Sequence, residues 1–206
     1  MLDFEFIRDN WLFIATGIGA TLGIAICSFL LATPIAMMVA KGRCSTLLPI
    51  RALSTFYVWL IDGIPLLLQI FFIFLALPQL GIYLPGFWSA VLVIAINHSP
   101  RMSEVLYPRF AATGGSQDEP RLSLIAPFAN EFASMIRDTT LISVTGFIHD
   151  VLWRATKVGR AEFKNLEAMV VAAIIYLILI TIVSLGVKAI SIIMPAARSG
   201  REASTY

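Results

Sequence analysis

Charge is nearly absent from long stretches of this chain, and those stretches define its elements. Trp11 to Ala40 is thirty residues without an Asp, Glu, Lys, Arg or His. About twenty apolar residues cross the hydrocarbon of a bilayer as a helix, so this run predicts a span, tilted or kinked near Pro34. Leu53 to Ile61 is apolar, Asp62 interrupts it, and Gly63 to Ile96 is again free of charge over thirty-four residues. That length exceeds one helix, and Pro78, Gly81, Pro85 and Gly86 punctuate it. It reads as two spans joined by a short outside turn. A fourth apolar region carries Glu131, Arg137 and Asp138, and a fifth, from Ala168 to Val187, carries no charge. The expected fold is an all-α integral membrane bundle of about five transmembrane helices. The spans fall near 11–40, 53–77, 87–106, 122–148 and 168–187, within one domain over 1–206. None of these runs shows the alternation of barrel strands.

Composition agrees with this class. Apolar residues make up 58% of the 206 positions and charged ones 14%, against roughly 25% charged in soluble domains. A soluble globule of this size could not hide so much apolar surface. Disorder, a disulfide-stapled mini-fold and a nucleic-acid partner are excluded as leading readings. Cys27 and Cys44 fall at different expected depths, so neither a disulfide nor a metal site is expected. The first apolar run is too long for a secretory signal and is expected to be retained. Lys41, Arg43, Arg51, Arg101, Arg109, Arg121, Lys188, Arg198 and Arg201 fall on one side of the bundle. Arg8, Arg154, Lys157, Arg160 and Lys164 fall on the other. Nine against five places the N-terminus outside and the C-terminus in the cytoplasm, with the basic loop from His149 to Glu167 on the less favourable side.

The ionisable residues inside the spans are the candidate chemistry. A charge at the bilayer centre costs about 2.5–3.5 kcal/mol on insertion scales, so a span with three must face protein or water. Glu131 and Asp138 are seven apart and share one helix face, with Ser134 and Met135 between them on the same stripe. These four are the candidate solute-binding residues. Arg137 is turned about 100° from Asp138 and is expected to ion-pair with another helix or subunit. Two acids without a dedicated cation favour a cationic or polar amino-bearing solute. The alternative is that they only bridge helices. Asp62, Gly63 and Pro65 mark a break, read as a kink near the interface. His98, beside Pro100, reads as a helix-end residue. No nucleophile–base pair, metal-ligand set or phosphate loop is present, so no enzyme activity and no metal is expected on this chain.

The stretch Asn130-Glu131-Phe132-Ala133-Ser134-Met135-Ile136-Arg137-Asp138-Thr139-Thr140-Leu141 resembles the fourth-helix signature of polar amino-acid permeases. These are the membrane subunits of bacterial ATP-binding-cassette (ABC) importers of the histidine, glutamine and arginine type. Asp62-Gly63-Ile64-Pro65-Leu66-Leu67-Leu68-Gln69 is similar to the same family's Arg-Gly-Thr-Pro-Leu-Leu-Val-Gln segment, and Ser103-Glu104-Val105 to its Ala-Glu-Ile. The resemblance implies a type I ABC importer permease fold and a function in amino-acid transport. It implies a bacterial inner membrane location, a second permease subunit, identical or similar, an ATPase dimer that binds ATP and Mg, and an external solute-binding protein. No cofactor is implied on this chain itself.

Two departures stand out. Asp62 replaces a family arginine. The interval from Glu104 to Asn130 is twenty-six residues, shorter than the resemblance implies for the ATPase-coupling loop. What remains of that loop is expected at Phe110, Ala111, Ala112, Gly114 and Gly115, in a segment that reads as a linker. Two other functions therefore stay open. One is a non-coupling membrane subunit that assembles or regulates such a complex. The other is an unrelated cation channel or secondary transporter.

Overall fold

The first apolar run forms one helix, α1, over Glu5–Arg43. Pro34 lies inside it, and the neighbouring Thr33 hydroxyl bonds the Phe29 carbonyl at 2.8 Å. The computed structural model describes residues 5–112 and 124–193, and every regular element among them is helical. Gly114, Gly115 and Arg121 lie outside the described residues.

The expected span at 53–77 is not one continuous helix. α2 covers Leu48–Gly63 and α3 Leu66–Phe71; a π-helical turn at Phe72–Ala76 then leads into the short α4, Leu77–Gln79. The two halves are bent by 99° at the break. Pro65 supplies no amide proton and pushes the residue before it out of the helical region. Ile64 accordingly is extended, at φ −104° and ψ 121°. At the break the Ile61 carbonyl keeps a turn bond of 3.3 Å from Ile64 N, and the Gln69 amide reaches both it and the Ile64 carbonyl. Its Nε2 donates to Ile61 O at 3.0 Å and to Ile64 O at 2.9 Å. The turn that follows contains Gly81 at φ +81°, a conformation that glycine adopts without a Cβ penalty.

α5 runs over Gly86–Ala111 and packs along α1 in the most extensive helix pair of the structure. Pro100 and Pro108 both lie inside α5, so His98 sits mid-helix and not at a helix end. α6 covers Ile125–Ile142 and passes into a 3₁₀ turn at Ser143–Thr145. On α1, Phe29 meets Phe128 and Phe132 of α6 edge-on, with ring centroids 6.1 and 5.6 Å away. Such T-shaped pairs add to the area they bury.

The stretch expected to be a basic loop, His149 to Glu167, contains a helix. α7 spans Val151–Ala161, with Asp150 as N-cap accepting from Trp153 N at 2.9 Å. Val151, Ala155, Val158 and Gly159 form its buried face. Two of its three basic residues pack on aromatic rings. The Arg154 guanidinium lies 4.7 Å from the Phe13 ring centroid, and Lys157 Nζ lies 4.7 Å from that of Trp153. These contacts hold the two charges against ring faces. α7 meets α1 closely, because a Cβ on Gly17 would stand 2.7 Å from Val151 N. α8, Asn165–Ile193, closes the bundle.

α1 and α8 are long and apolar enough to cross a membrane, and the bent pair around Pro65 would make a third if it is one span. α6 holds three charges in eighteen residues, and α5 carries Asn97, His98, Arg101 and Glu104 in its middle. These two helices turn their polar residues toward each other.

Candidate functional site

α5 places a polar row in the interior. Asn97, His98, Ser99 and Ser103 are all buried. Ser99 is held from α2, where the Tyr57 hydroxyl and Ser99 Oγ are 2.7 Å apart. Asn97 Oδ1 accepts from Arg101 Nη2 at 2.9 Å, one turn along the same helix. From this row His98 reaches the acidic stripe of α6.

His98 joins the two acids. Its Nδ1 lies 2.8 Å from Glu131 Oε2, and its Nε2 lies 3.0 Å from Asp138 Oδ2. The ring has no exposure, whereas the Glu131 and Asp138 side chains keep 19% and 28%. Arg101 Nη1 is 4.0 Å from Glu131 Oε2. The spacing argument correctly put Glu131 and Asp138 on one face. The expectation of no nearby cation does not hold for Glu131, which Arg101 reaches, and the imidazole contacts both acids. The sequence reads His98 only as a helix-end residue, because its partners lie 33 and 40 positions away. The available signal was a histidine within one polar span, matched by two acids one helical face apart in the next.

The other expected site residues separate. Met135 is fully buried in the apolar core and lines no accessible surface. Ser134 is half-buried and accepts from Arg137 Nη2 at 2.8 Å. That bond is within α6, and Arg137 has no ion-pair partner among the described residues, so its expected pairing with another helix of this chain is not found. Asp62 is exposed at the break, within electrostatic reach of Arg101, Glu104 and Glu131. The break thus lies beside the same polar region. Glu104 itself accepts from Arg43 Nη1 at 2.6 Å, tying the end of α1 to α5.

Of the expected coupling residues, Phe110 and Ala111 still belong to α5, and Ala112 follows as its cap. Phe110 packs against the core with Lys41 Nζ 5.5 Å from its ring centroid, leaving Ala111 and Ala112 exposed. A cavity of about 480 Å³ opens between α1, α6 and α8, bounded by Phe29, Leu30, Phe128, Phe132, Ile182 and Val183. Its lining side chains are apolar throughout, so it offers nothing to orient a charged solute. The polar cluster between α5 and α6 is the candidate site.

No protein-family model matches the chain. Among curated proteins, it is 27% identical over 210 residues to the arginine transport system permease protein ArtQ of Bacillus subtilis, covering 92% of this chain and 95% of the relative. It is 29% identical to the L-cystine transport system permease protein TcyB of Bacillus subtilis, over 86% of this chain and 85% of that protein. The putative glutamine transport system permease protein GlnP of Rickettsia felis is 24% identical over 87% of this chain and 91% of its own length. A solved chain described as the crystal structure of an amino acid ABC transporter with histidines superposes with a TM-score of 0.85 at 21% identity. It covers 94% of this chain and 100% of its own. The homologues are amino-acid ABC transporter permeases, and the fold is that of an amino acid ABC transporter.

Proposed function

We propose that this chain, a homologue of the amino-acid ABC transporter permeases, is itself a permease subunit of an amino-acid importer in a bacterial inner membrane. The observation that carries this reading is the ionisable cluster in which a buried His98 joins Glu131 and Asp138 between two helices of a fold shared with such a transporter. Ionisable groups at membrane depth are costly, and they persist where they serve a solute path or its lining. Glu131 and Asp138 remain partly exposed, so they are available from one side of the cluster. Ser134 and the exposed Arg137 lie on the adjoining surface.

In this reading five segments span the membrane, with the N-terminus outside and the C-terminus cytoplasmic. One chain does not enclose a path, since the polar surface of α6 opens sideways. A second permease, identical or similar, covers it. ATP and Mg bind to a separate pair of ATPase subunits, and an external protein delivers the amino acid. Purification of the tagged chain from native membranes in mild detergent tests all three partners. The expected result is recovery of an ATP-binding-cassette ATPase whose hydrolysis rises with the solute-loaded binding protein.

The short interval between Glu104 and Asn130 supports a second reading, in which this subunit assembles the complex without coupling to hydrolysis. Replacing residues 111–120 by a Gly-Ser segment separates the two. Lost stimulation of the ATPase means coupling through this chain; unchanged stimulation means coupling through its partner.

A further inference from the structure

Glu131 and Asp138 are two turns apart, about 10.5 Å along α6, and a single imidazole from α5 joins them at 2.8 and 3.0 Å. A neutral imidazole has one N–H and one lone pair, so it cannot donate to two carboxylates. Either the ring is an imidazolium, or one of the acids holds the proton. Both arrangements give the cluster one negative charge where two bare acids would carry two. Arg101, 4.0 Å from Glu131 and 45% exposed in its side chain, offsets that remaining charge further. Asp62 is the other acid within electrostatic reach, and it stands exposed at the helix break. The oxygens bonded to His98 are Glu131 Oε2 and Asp138 Oδ2, so a solute is left with the second oxygen of each acid.

We propose that His98 determines the solute class of this site: by joining both acids it leaves them one negative charge where a basic side chain would otherwise meet two, so that the site favours amino acids with uncharged polar side chains over cationic ones. This inference rests on the reading of the chain as an amino-acid permease. A solute guanidinium entering here would approach two acids that together carry one negative charge, with Arg101 beside them. Its desolvation would go largely uncompensated. A zwitterion with a neutral side chain makes a smaller demand. Its ammonium uses one free acid oxygen, and its carboxylate faces Arg101. Discrimination then comes from a repulsive element placed against the wrong solute as much as from attraction to the right one.

The test is equilibrium binding of radiolabelled L-glutamine and L-arginine to the intact permease–ATPase complex in detergent. The external binding protein is omitted, so that its own selectivity does not enter. The wild type is expected to prefer glutamine, and His98→Asn to shift the glutamine-to-arginine affinity ratio toward arginine by about tenfold or more. That magnitude is at the low end of the roughly one to three decades by which a neighbouring opposite charge alters a charged group's equilibrium. A wild-type preference for arginine, or an unchanged ratio in His98→Asn, overturns the proposal. If His98→Asn does not assemble, His98→Gln is measured in its place, and the wild-type ratio alone still decides against the proposal if it favours arginine. A chain that recovers no ATPase, or a complex that binds neither amino acid, overturns the permease reading itself. A complex that binds both but prefers arginine overturns only the role of His98.

Discussion

The Tyr176 hydroxyl donates to Asp150 Oδ2 at 2.9 Å, linking α8 to the N-cap of α7. Asp150 has no exposure, and its other oxygen accepts from Ser143 Oγ and from Trp153 N. One carboxylate therefore joins the end of α6, the start of α7 and the middle of α8. Asp150→Ala removes an N-cap and the shared acceptor of two hydroxyls, that of the half-buried Ser143 and that of the buried Tyr176. We expect it to cost about 2–4 kcal/mol. Tyr176→Phe removes one bond to the carboxylate and is expected to cost about 1–2 kcal/mol. Thermal unfolding of the purified chain in detergent checks both, and equal effects of the two would contradict the three-way role of Asp150.

Asp150 also predicts a pH dependence. It lies beyond the end of α6, outside the spanning segments. Burial pushes its carboxyl above the ordinary value of 3.8, against the opposing bonds from Ser143 and Trp153. The folded chain thus holds this proton more tightly than the unfolded one. The stabilisation is fully present below the unfolded value and is lost as pH rises through the folded one. Asp150→Asn keeps a carbonyl acceptor and cannot ionise. The Tm of Asp150→Asn minus that of the wild type is expected to increase as pH rises from the acid range toward neutrality. A difference that stays flat, or falls, across that range would be inconsistent with the burial argument.

Gly17 and Gly19 give an internal comparison on one helix. A Cβ at Gly17 would meet the α7 backbone, with Val151 N at 2.7 Å and Asp150 C at 2.8 Å, while at Gly19 nothing lies within 4 Å. Backbone does not swing aside as a side-chain tip does, so Gly17→Ala must push α7 away from α1. The expected cost is about 1–3 kcal/mol, as for other overpacked sites. Gly19→Ala is expected to be neutral or slightly stabilising through helix propensity. A scan in which the two variants unfold together would show that α7 does not dock as described.

How much of this was legible in the sequence depends on how local each cause is. α1 and α8 follow from run length, because about twenty apolar residues are enough to specify a span. The break at Pro65 was visible as an interruption. Its 99° angle was not, because the angle depends on Gln69 reaching back to the Ile61 and Ile64 carbonyls. α7 was missed, although Asp150 before an i, i+4, i+7, i+8 row of Val151, Ala155, Val158 and Gly159 is a helix pattern with a cap; the basic residues around that row obscured it. At the site, helical spacing placed Glu131 and Asp138 together. It could not supply His98, which comes from another helix, nor show that Met135 on the same stripe points into the core.

Gln69 is the residue that holds the bend. It is buried, donates to both carbonyls at the break, and its Oε1 has no partner. Gln69→Leu keeps most of the volume but removes the amide donor from both carbonyls, leaving Ile61 O only its 3.3 Å bond from Ile64 N, so we expect a loss of about 1–2 kcal/mol. Gln69→Glu places a carboxylate against the same carbonyls and is expected to be worse. If the leucine variant were the more damaging of the two, the hydrogen bonds would not be what sustains the break.

The cluster of His98, Glu131 and Asp138 makes a prediction about stability that is separate from solute choice. Removing one member of a buried charged group costs more than removing the group, because the remaining charges lose their compensation. His98→Ala leaves two acids on α6 without the imidazole that joins them, and we expect it to cost about 3 kcal/mol or more. Adding Glu131→Gln and Asp138→Asn to that variant removes the stranded charge. The triple variant is then expected to be more stable than His98→Ala alone, despite carrying more substitutions. The coupling between His98 and each acid, from double-mutant cycles, should be at least about 1 kcal/mol, because each ring nitrogen contacts one carboxylate directly. The check is Tm across the set, measured in one detergent at one pH. Strict additivity of the three substitutions would mean that the imidazole does not compensate the acids, and the geometry at 2.8 and 3.0 Å would then have no energetic counterpart.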